Sequence, residues 1–504
     1  MFDLAYLILL SVFVGLIASF ILEPILLQGA SPAWRRPWKA NLLHVCGWLL
    51  IFCFELILFQ RPWFASLLAC AIFLLLIVIS NTKQAMLREP FIYQDFEYFA
   101  DLIKHPRLYI PFFGISKTLL GILIFSTLIS AGILIEPSLL NNFSFIQFSY
   151  LIIFITSTVF SCLFFISRND MEITLNPAVD VSKLGLFASL ISYRWAENRD
   201  LPSGTSYTTI HSTPLSTSPH LLVIQSESFF DIRRLVPQIK PEILNAFDAL
   251  CTEACFSGRL KVPAWGANTV RTEFAFLSGR SPESLGVHQF NPYRRFAAKN
   301  QDSIALRMRT QGYKTVCIHP YPATFYRRNI IYPLLGFDEF IDVSAFDAPQ
   351  GMPYVSDLAV AKKIDELLAT ANEPLFIFVI TMENHGPLHL ERVNVTDAEK
   401  LYMNRMPSFC DELTIYLRHL RNANQMLIEL KTTLARLARP TVMCWYGDHV
   451  PIIPALYQQV GEPDGTTEYF IWTNHQTRNN QTTDLKVEEL AEVIDLIMFD
   501  HLKS

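Results

Sequence analysis

Four separate apolar runs in the second half of this chain end on side chains that can bind a metal or an anion. LLVIQSE closes on Glu227, KTVCIH on His319, LFIFVITMENH on His385 and TVMCWYGDH on Asp448 and His449. Carboxylates and an imidazole gathered from distant segments suit a divalent cation such as Mn²⁺, Mg²⁺ or Zn²⁺. Adjacent Asp and His after a strand is a more specific signal than either alone, although a helix-capping Asp beside a surface His would read the same way. Thr269, in WGANTVRTEF, follows the small or turn-forming Gly266, Ala267 and Asn268 and opens a helical pattern of Val270, Phe274, Phe276 and Leu277. That puts Thr269 at a helix N-terminus, where backbone N–H groups favour an anion. Thr is also an ordinary helix cap. A hydroxyl is a weak nucleophile until it is activated, for example by metal coordination. Beside a cation held by Glu227, Asp448 and His449, Thr269 would attack a phosphorus or sulfur centre. In ATFYRRNIIY, Arg327 and Arg328 could clamp phosphate oxygens bidentately, and Tyr326 could hydrogen-bond a head group. His319 and His385 can bind substrate oxygens or act as acid or base.

The elements that must position these residues are legible from period and length. Short apolar runs bounded by turn residues predict buried strands of a parallel sheet. In open α/β sheets a ligand sits beyond the carboxyl ends of the strands. LLVIQ, YKTVCI, LFIFVIT, TVMCWY and EYFIWT alternate with helical patterns near 241–254, 302–311, 356–371, 410–437 and 486–499. Such alternation predicts a doubly wound sheet.

The first third of the chain is different. Hydrophobic residues make up 51% of the 504, and the excess lies before about residue 167. Five runs, roughly 4–26, 41–60, 62–80, 112–135 and 146–166, approach the length that crosses a bilayer, about 20 apolar residues. A signal peptide would account only for the first. The reading is a transmembrane domain over 1–166, a polar linker over 167–217 closed by a Ser/Thr/Pro stretch, and a catalytic domain over 218–504. Residues 81–111 mix aromatics with charges and read as interfacial. A net charge of −5 supplies no basic footprint for nucleic acid. Nine cysteines include no metal-type CxxC pair. Arg35, Arg36, Lys39, Lys83, Arg88, Lys104 and Arg107 fall in loops that the positive-inside bias would place in the cytoplasm, with the catalytic domain on the same side.

These stretches together resemble the sulfatase/alkaline phosphatase superfamily, and within it the lipoteichoic-acid-synthase-like phosphoglycerol transferases. The matching motifs are ESF at 227–229, GANT and VRTEF within 266–274, His319 through the ATFYRR turn to Tyr332, TMENHGP at 381–387 and YGDH at 446–449. Their order and spacing span the globular domain, and five N-terminal spans with a polar linker fit as well. The resemblance implies that Glu227, Thr269, Asp448 and His449 hold one divalent ion, Mn²⁺ or Mg²⁺, with Thr269 the nucleophile that becomes phosphorylated. It implies that His319, Tyr326, Arg328 and His385 contact head group and phosphate. The implied reaction moves the head group of phosphatidylglycerol to Thr269, releases diacylglycerol, and passes phosphoglycerol to a hydroxyl of an envelope glycan or polymer without ATP. It also places the catalytic domain outside the bacterial inner membrane, against the loop charges. Asn268 stands where close relatives carry Lys, Tyr326 where they carry Trp, and Tyr321 where they carry Asp. These departures concern the head-group pocket, so a phosphoethanolamine transferase or a hydrolase stays open. Thr269 in place of Cys or Ser argues against a sulfatase proper, and the missing second Asp/His set argues for a single ion.

Overall fold

The computed structural model describes residues 2–98, 115–168, 171–199, 218–295, 302–348, 352–394, 396–403, 411–475 and 480–499. The chain divides into two units, Met1–Asp200 and Leu201–Ser504.

The first unit is built on α1 (Phe2–Leu22), α2 (Trp38–Phe59), α3 (Pro62–Leu87), α4 (Ile115–Ile135) and α5 (Phe145–Ser167). These are five helices long and apolar enough to cross a membrane, as the five runs predicted. Helix α3 continues past residue 80, so the start of the segment read as interfacial is helical. The reason is that its polar residues find partners: Lys83 Nζ lies 2.6 Å from Asp95 Oδ2 and also bonds Glu89. Residues 99–111 of that segment lie outside the described residues. Within the predicted linker, α6 (Pro177–Leu184) and α7 (Leu186–Ala196) are ordered helices of this unit. Their charged residues are accommodated inside: Asp180 and Glu197 are buried, with Asp180 bonded to Tyr193 Oη at 2.9 Å. Residues 169–170 and 200–217 of the linker, and Cys410, lie outside the described residues.

The second unit is a mixed sheet of β1 (His220–Ser226), β2 (Phe256–Lys261), β3 (Lys314–Ile318), β4 (Glu339–Ile341), β5 (Leu375–Ile380), β6 (Thr441–Gly447), β7 (Thr467–Thr473), β8 (Gln481–Thr482) and β9 (Leu485–Lys486). The strands run in the order β4-β3-β5-β1-β6-β7-β2-β8, with β9 also on β2. From β4 to β6 all pairings are parallel. The EYFIWT run departs from the parallel expectation: β7 is antiparallel to β6, and β2 is antiparallel to β7. Strands β2, β4, β8 and β9 escape sequence reading because they are short or partly exposed and carry no continuous apolar run.

Side chains of β1, β5 and β6 alternate between two cores. Leu222, Ile224, Ile377, Val379, Met443 and Trp445 pack with α8 (Asn245–Glu253), α12 (Asp357–Ala369) and α13 (Asp411–Ala435). Leu221, Val223, Phe376, Phe378, Val442 and Cys444 pack with α9 (Thr269–Ser278), α10 (Ile304–Thr310), α11 (Arg328–Leu334) and α14 (Leu490–Phe499). Helices cover both faces, which is the doubly wound arrangement. Burying each large aliphatic or aromatic side chain contributes about 1.5–3 kcal/mol, so the central strands are the rigid platform of this unit.

At the start of β1, the buried His220 accepts the Leu375 N–H on Nδ1 at 3.0 Å. Burial first, and then the Arg439 guanidinium, lower its pKa to about 4 from the usual 6.5. The folded state therefore binds fewer protons than the unfolded state between those values, and stability is lost as pH falls through them. Melting temperature measured against pH should drop from about pH 6.5 towards pH 4 more steeply in the native chain than in His220→Gln.

Candidate active site

Four strand ends deliver the predicted residues to one edge of the sheet. Ser226 of β1 is the register partner of Gly447 of β6, so Glu227 and Asp448 emerge side by side. Glu227, Asp448 and His449 are all buried and present ligand atoms within 4.8 Å of one another. His449 Nε2 lies 3.5 Å from Glu227 Oε1 and 3.4 Å from Asp448 Oδ2. The opposite ring nitrogen, Nδ1, faces the Val450 carbonyl at 3.1 Å. A carbonyl can only accept, so in the neutral ring Nδ1 carries the proton and Nε2 keeps its lone pair. The backbones are packed tightly here: a Cβ at Gly447 would fall on the Phe229 carbonyl oxygen.

Burial and the neighbouring Asp448 carboxylate hold Glu227 well above the usual carboxylate range, against the opposing pull of His449. Asp448 Oδ2 and His449 Nε2 are buried and have no hydrogen-bond partner among the described residues. Unsatisfied buried acceptors are costly, and a divalent cation would satisfy both and relieve the carboxylate repulsion. The donor set of two carboxylates and a neutral imidazole fits such an ion.

Thr269 is the first residue of α9 and is buried. The chain enters this helix through left-handed turns at Gly266 (φ 66°) and Asn268 (φ 67°). Three residues on, Thr272 donates its hydroxyl to the Asp448 carbonyl at 2.8 Å. Residues three apart share a helix face, so the side of α9 that carries Thr269 is the side docked on the Asp448 loop.

The substrate-side residues have more varied surroundings. Arg328, at the start of α11, is almost fully buried and forks onto Glu273, with Nε 3.2 Å from Oε1 and Nη2 2.7 Å from Oε2. Glu273 also accepts from Tyr293 Oη at 2.6 Å and from Tyr332 Oη. The bidentate fork expected for phosphate is thus occupied by a carboxylate; Nη1 alone is buried without a partner among the described residues. Arg327, its expected companion, is exposed and held at φ 59°. Tyr326 is half-buried at φ 53°, with the Arg328 guanidinium 5.1 Å from its ring centre. His319 lies buried beyond β3, its Nδ1 3.2 Å from the Ile380 carbonyl. Burial, followed by Arg328, pushes its pKa well below the usual histidine value. His385, beyond β5, places Nδ1 2.6 Å from the Gly386 carbonyl and 3.4 Å from Tyr354 Oη, and burial lowers its pKa as well. Both rings therefore stay neutral at neutral pH and leave Nε2 as an acceptor.

Several residues here were not singled out from sequence. Thr381 Oγ1 accepts the Glu227 N–H at 3.0 Å, and Ser228 contacts Glu227, Asp448 and His449. Asp357 donates its N–H to Glu383 Oε2 at 2.7 Å, and burial and the Glu383 charge hold its carboxyl well above the usual range. Ser228 lies within the ESF motif and Thr381 and Glu383 within TMENHGP, so their neighbours were a signal; Asp357 lies in a separate segment.

The sulfatase family profile matches residues 219–498. The chain belongs to the sulfatase family. It is an enzyme of the sulfatase superfamily. A relative in Rhizobium meliloti, the capsular polysaccharide biosynthesis protein RkpI, is 29% identical over 437 residues, covering 82% of this chain and 77% of that protein. A putative cyclic beta-1,2-glucan modification protein of the same organism is 28% identical over 272 residues, covering 53% of this chain but 40% of that protein. Among solved structures, the integral membrane lipooligosaccharide phosphoethanolamine transferase A of Neisseria meningitidis aligns over 97% of this chain and 95% of its own, with a TM-score of 0.55 and 12% identity. That likeness is one of fold and extends to the apolar helices, so this sulfatase-family chain is a membrane protein with a C-terminal sulfatase domain.

Breaking the buried Glu273–Arg328 pair from one side leaves a guanidinium without its partner. Glu273→Ala should lower stability by about 3–5 kcal/mol, read as the shift in denaturant unfolding of the detergent-solubilised protein.

Proposed function

We propose that this chain is a membrane-anchored, metal-dependent phosphotransferase that moves a phosphoglycerol head group from phosphatidylglycerol to an envelope glycan by way of Thr269. The observation that carries this reading is the pair of buried acceptors without hydrogen-bond partners, Asp448 Oδ2 and His449 Nε2, beside Glu227, at the sheet edge where α9 begins with Thr269. Glu227, Asp448, His449 and Thr269 would hold one divalent ion, Mn²⁺ or Mg²⁺. When bound, that ion supplies Lewis-acid charge stabilisation.

The chain's own residues account for the rest. The Thr269 oxygen attacks phosphorus, a P–Oγ bond forms, and the bond to the diacylglycerol oxygen breaks. His385, neutral and only half-buried, takes the Thr269 proton on Nε2 and hands it to the departing diacylglycerol. In the second half the acceptor hydroxyl gives its proton to the same nitrogen, attacks phosphorus, and Thr269 leaves with that proton restored. Arg328 Nη1 offers the phosphoryl oxygens one charged donor, while its fork on Glu273 keeps it in place. Tyr326 and His319 line the head-group side.

A glycan acceptor is supported by the polysaccharide and glucan roles in the names of the two Rhizobium relatives. We place the catalytic unit on the extracytoplasmic side of the inner membrane, where lipid head groups are available. Two of the loop cations that oppose this placement are withdrawn into ion pairs: Arg36 with Glu23, and Lys83 with Glu89 and Asp95. The departures at Asn268, Tyr321 and Tyr326 favour testing phosphatidylethanolamine as a second donor.

Thr269→Ala should keep its fold and lose transfer of labelled glycerol phosphate by a factor of at least about 10³, given the non-additive collapse seen when a nucleophile is removed; retained transfer would falsify the role of Thr269. Stripping metal with a chelator should abolish transfer, and adding Mn²⁺ back should restore it. Labelled phosphatidylglycerol and phosphatidylethanolamine, supplied in parallel with and without a glucan, should show label reaching the glycan from the first lipid only. Release of free glycerol phosphate in both arms would instead mark a hydrolase.

A further inference from the structure

We infer that Ser228 is the positioning residue that sets which atom of Asp448 and of His449 faces the ion, an inference that rests on the metal reading of Glu227, Asp448 and His449. Ser228 is buried and touches all three. Its N–H donates to Asp448 Oδ1 at 2.8 Å, its hydroxyl donates to Glu227 Oε1 at 2.9 Å, and the same Oγ lies 3.4 Å from His449 Nδ1. In two of the three, the atom Ser228 touches is the one opposite the unpartnered atom. Engaging Asp448 Oδ1 leaves Oδ2 uncommitted, and meeting the Nδ1 side of His449 leaves Nε2 uncommitted. Partners of this kind fix ligand orientation and raise affinity without touching the metal.

The backbone supports this assignment. Ser228 sits at φ 51°, the left-handed region that disfavours a side chain. This conformation turns N–H and Oγ towards the same cluster. It is held from behind by Tyr416, whose single hydroxyl proton faces the Ser228 carbonyl at 2.8 Å and the Phe230 carbonyl at 3.0 Å. Glycine would take this backbone with no strain, yet a serine occupies it. The hydroxyl is the feature that glycine cannot supply. Strained residues that persist because their surroundings over-determine them cluster at functional sites.

The two contributions of Ser228 predict effects of opposite sign. Ser228→Gly keeps the N–H bond to Asp448 and removes both the strain and the hydroxyl. Full-length protein in detergent should then show a metal-free melting temperature equal to or above that of the native chain, while Mn²⁺ binding by titration calorimetry weakens about 10–100-fold, as for other second-layer partners. Ser228→Ala loses the same hydroxyl but keeps the strain, so its Mn²⁺ affinity should fall equally with no gain in melting temperature. A purely structural serine would instead lower the melting temperature and leave the dissociation constant alone. If the native chain binds Mn²⁺ and both variants bind it equally well, the inference is wrong. If the native chain binds none of Mn²⁺, Mg²⁺ and Zn²⁺, the metal reading itself fails and this inference falls with it.

Discussion

The parallel pairing of β1 with β6 forces two carboxylates into the same buried corner. With Ser226 opposite Gly447, the next residue of each strand, Glu227 and Asp448, must leave the sheet together, and His449 follows. The mutual repulsion of the two carboxylates, added to burial, is what raises the Glu227 pKa. A positive charge placed among these groups would relieve that repulsion and meet the acceptor atoms that lack hydrogen-bond partners among the described residues. The rigid strands make this possible: β1, β5 and β6 are buried on both faces, so their ends cannot drift apart to relieve the repulsion.

A second buried knot of charge ties the candidate nucleophile to the substrate side. Helix α9 contributes Thr272 to the Asp448 carbonyl and Glu273 to Arg328, Tyr293 and Tyr332. The helix that begins with Thr269 and the turn that carries Tyr326 and Arg328 are thereby clamped by one carboxylate. This changes the meaning of Arg328. Its guanidinium is first a structural partner of Glu273, and only its remaining nitrogen, Nη1, is left to meet an anion. The left-handed Tyr326 and Arg327 just before it show how sharply the chain must turn to deliver that residue.

In the N-terminal unit the same economy of buried polar groups holds. Glu23, Arg36 and His44 meet in the interior, with Glu23 also receiving the Leu186 N–H at 2.8 Å at the start of α7. His44 Nε2 meets Ser19 Oγ at 2.9 Å. Ionisable groups in apolar surroundings persist when paired, and here the pairing fastens α6 and α7 to the helices before them. That is why a polar stretch which reads as linker folds as part of this unit. Helix α4, by contrast, leaves Leu119, Leu120, Ile122 and Leu123 exposed, as a helix bathed in lipid does.

Some of this protein was legible from residue order alone. Apolar run length marked the five spans, and period with turn residues marked β1, β3, β5 and β6, because those signals are local. The residue types Glu227, His319, His385, Asp448 and His449 at strand ends likewise announced a site, since strand ends converge in a doubly wound sheet. Other features were decided only by tertiary structure. The antiparallel return of β7, the diversion of Arg328 onto Glu273 and the burial of Glu197 against Gln94 depend on partners tens to about a hundred residues away. So does the role of Ser228, whose neighbour Glu227 is next in sequence but whose other partners, Asp448 and His449, lie 220 and 221 residues on. Sequence fixes which groups are present; only the packed sheet fixes which atom of each is left without a partner, because that depends on what every other atom has already bound.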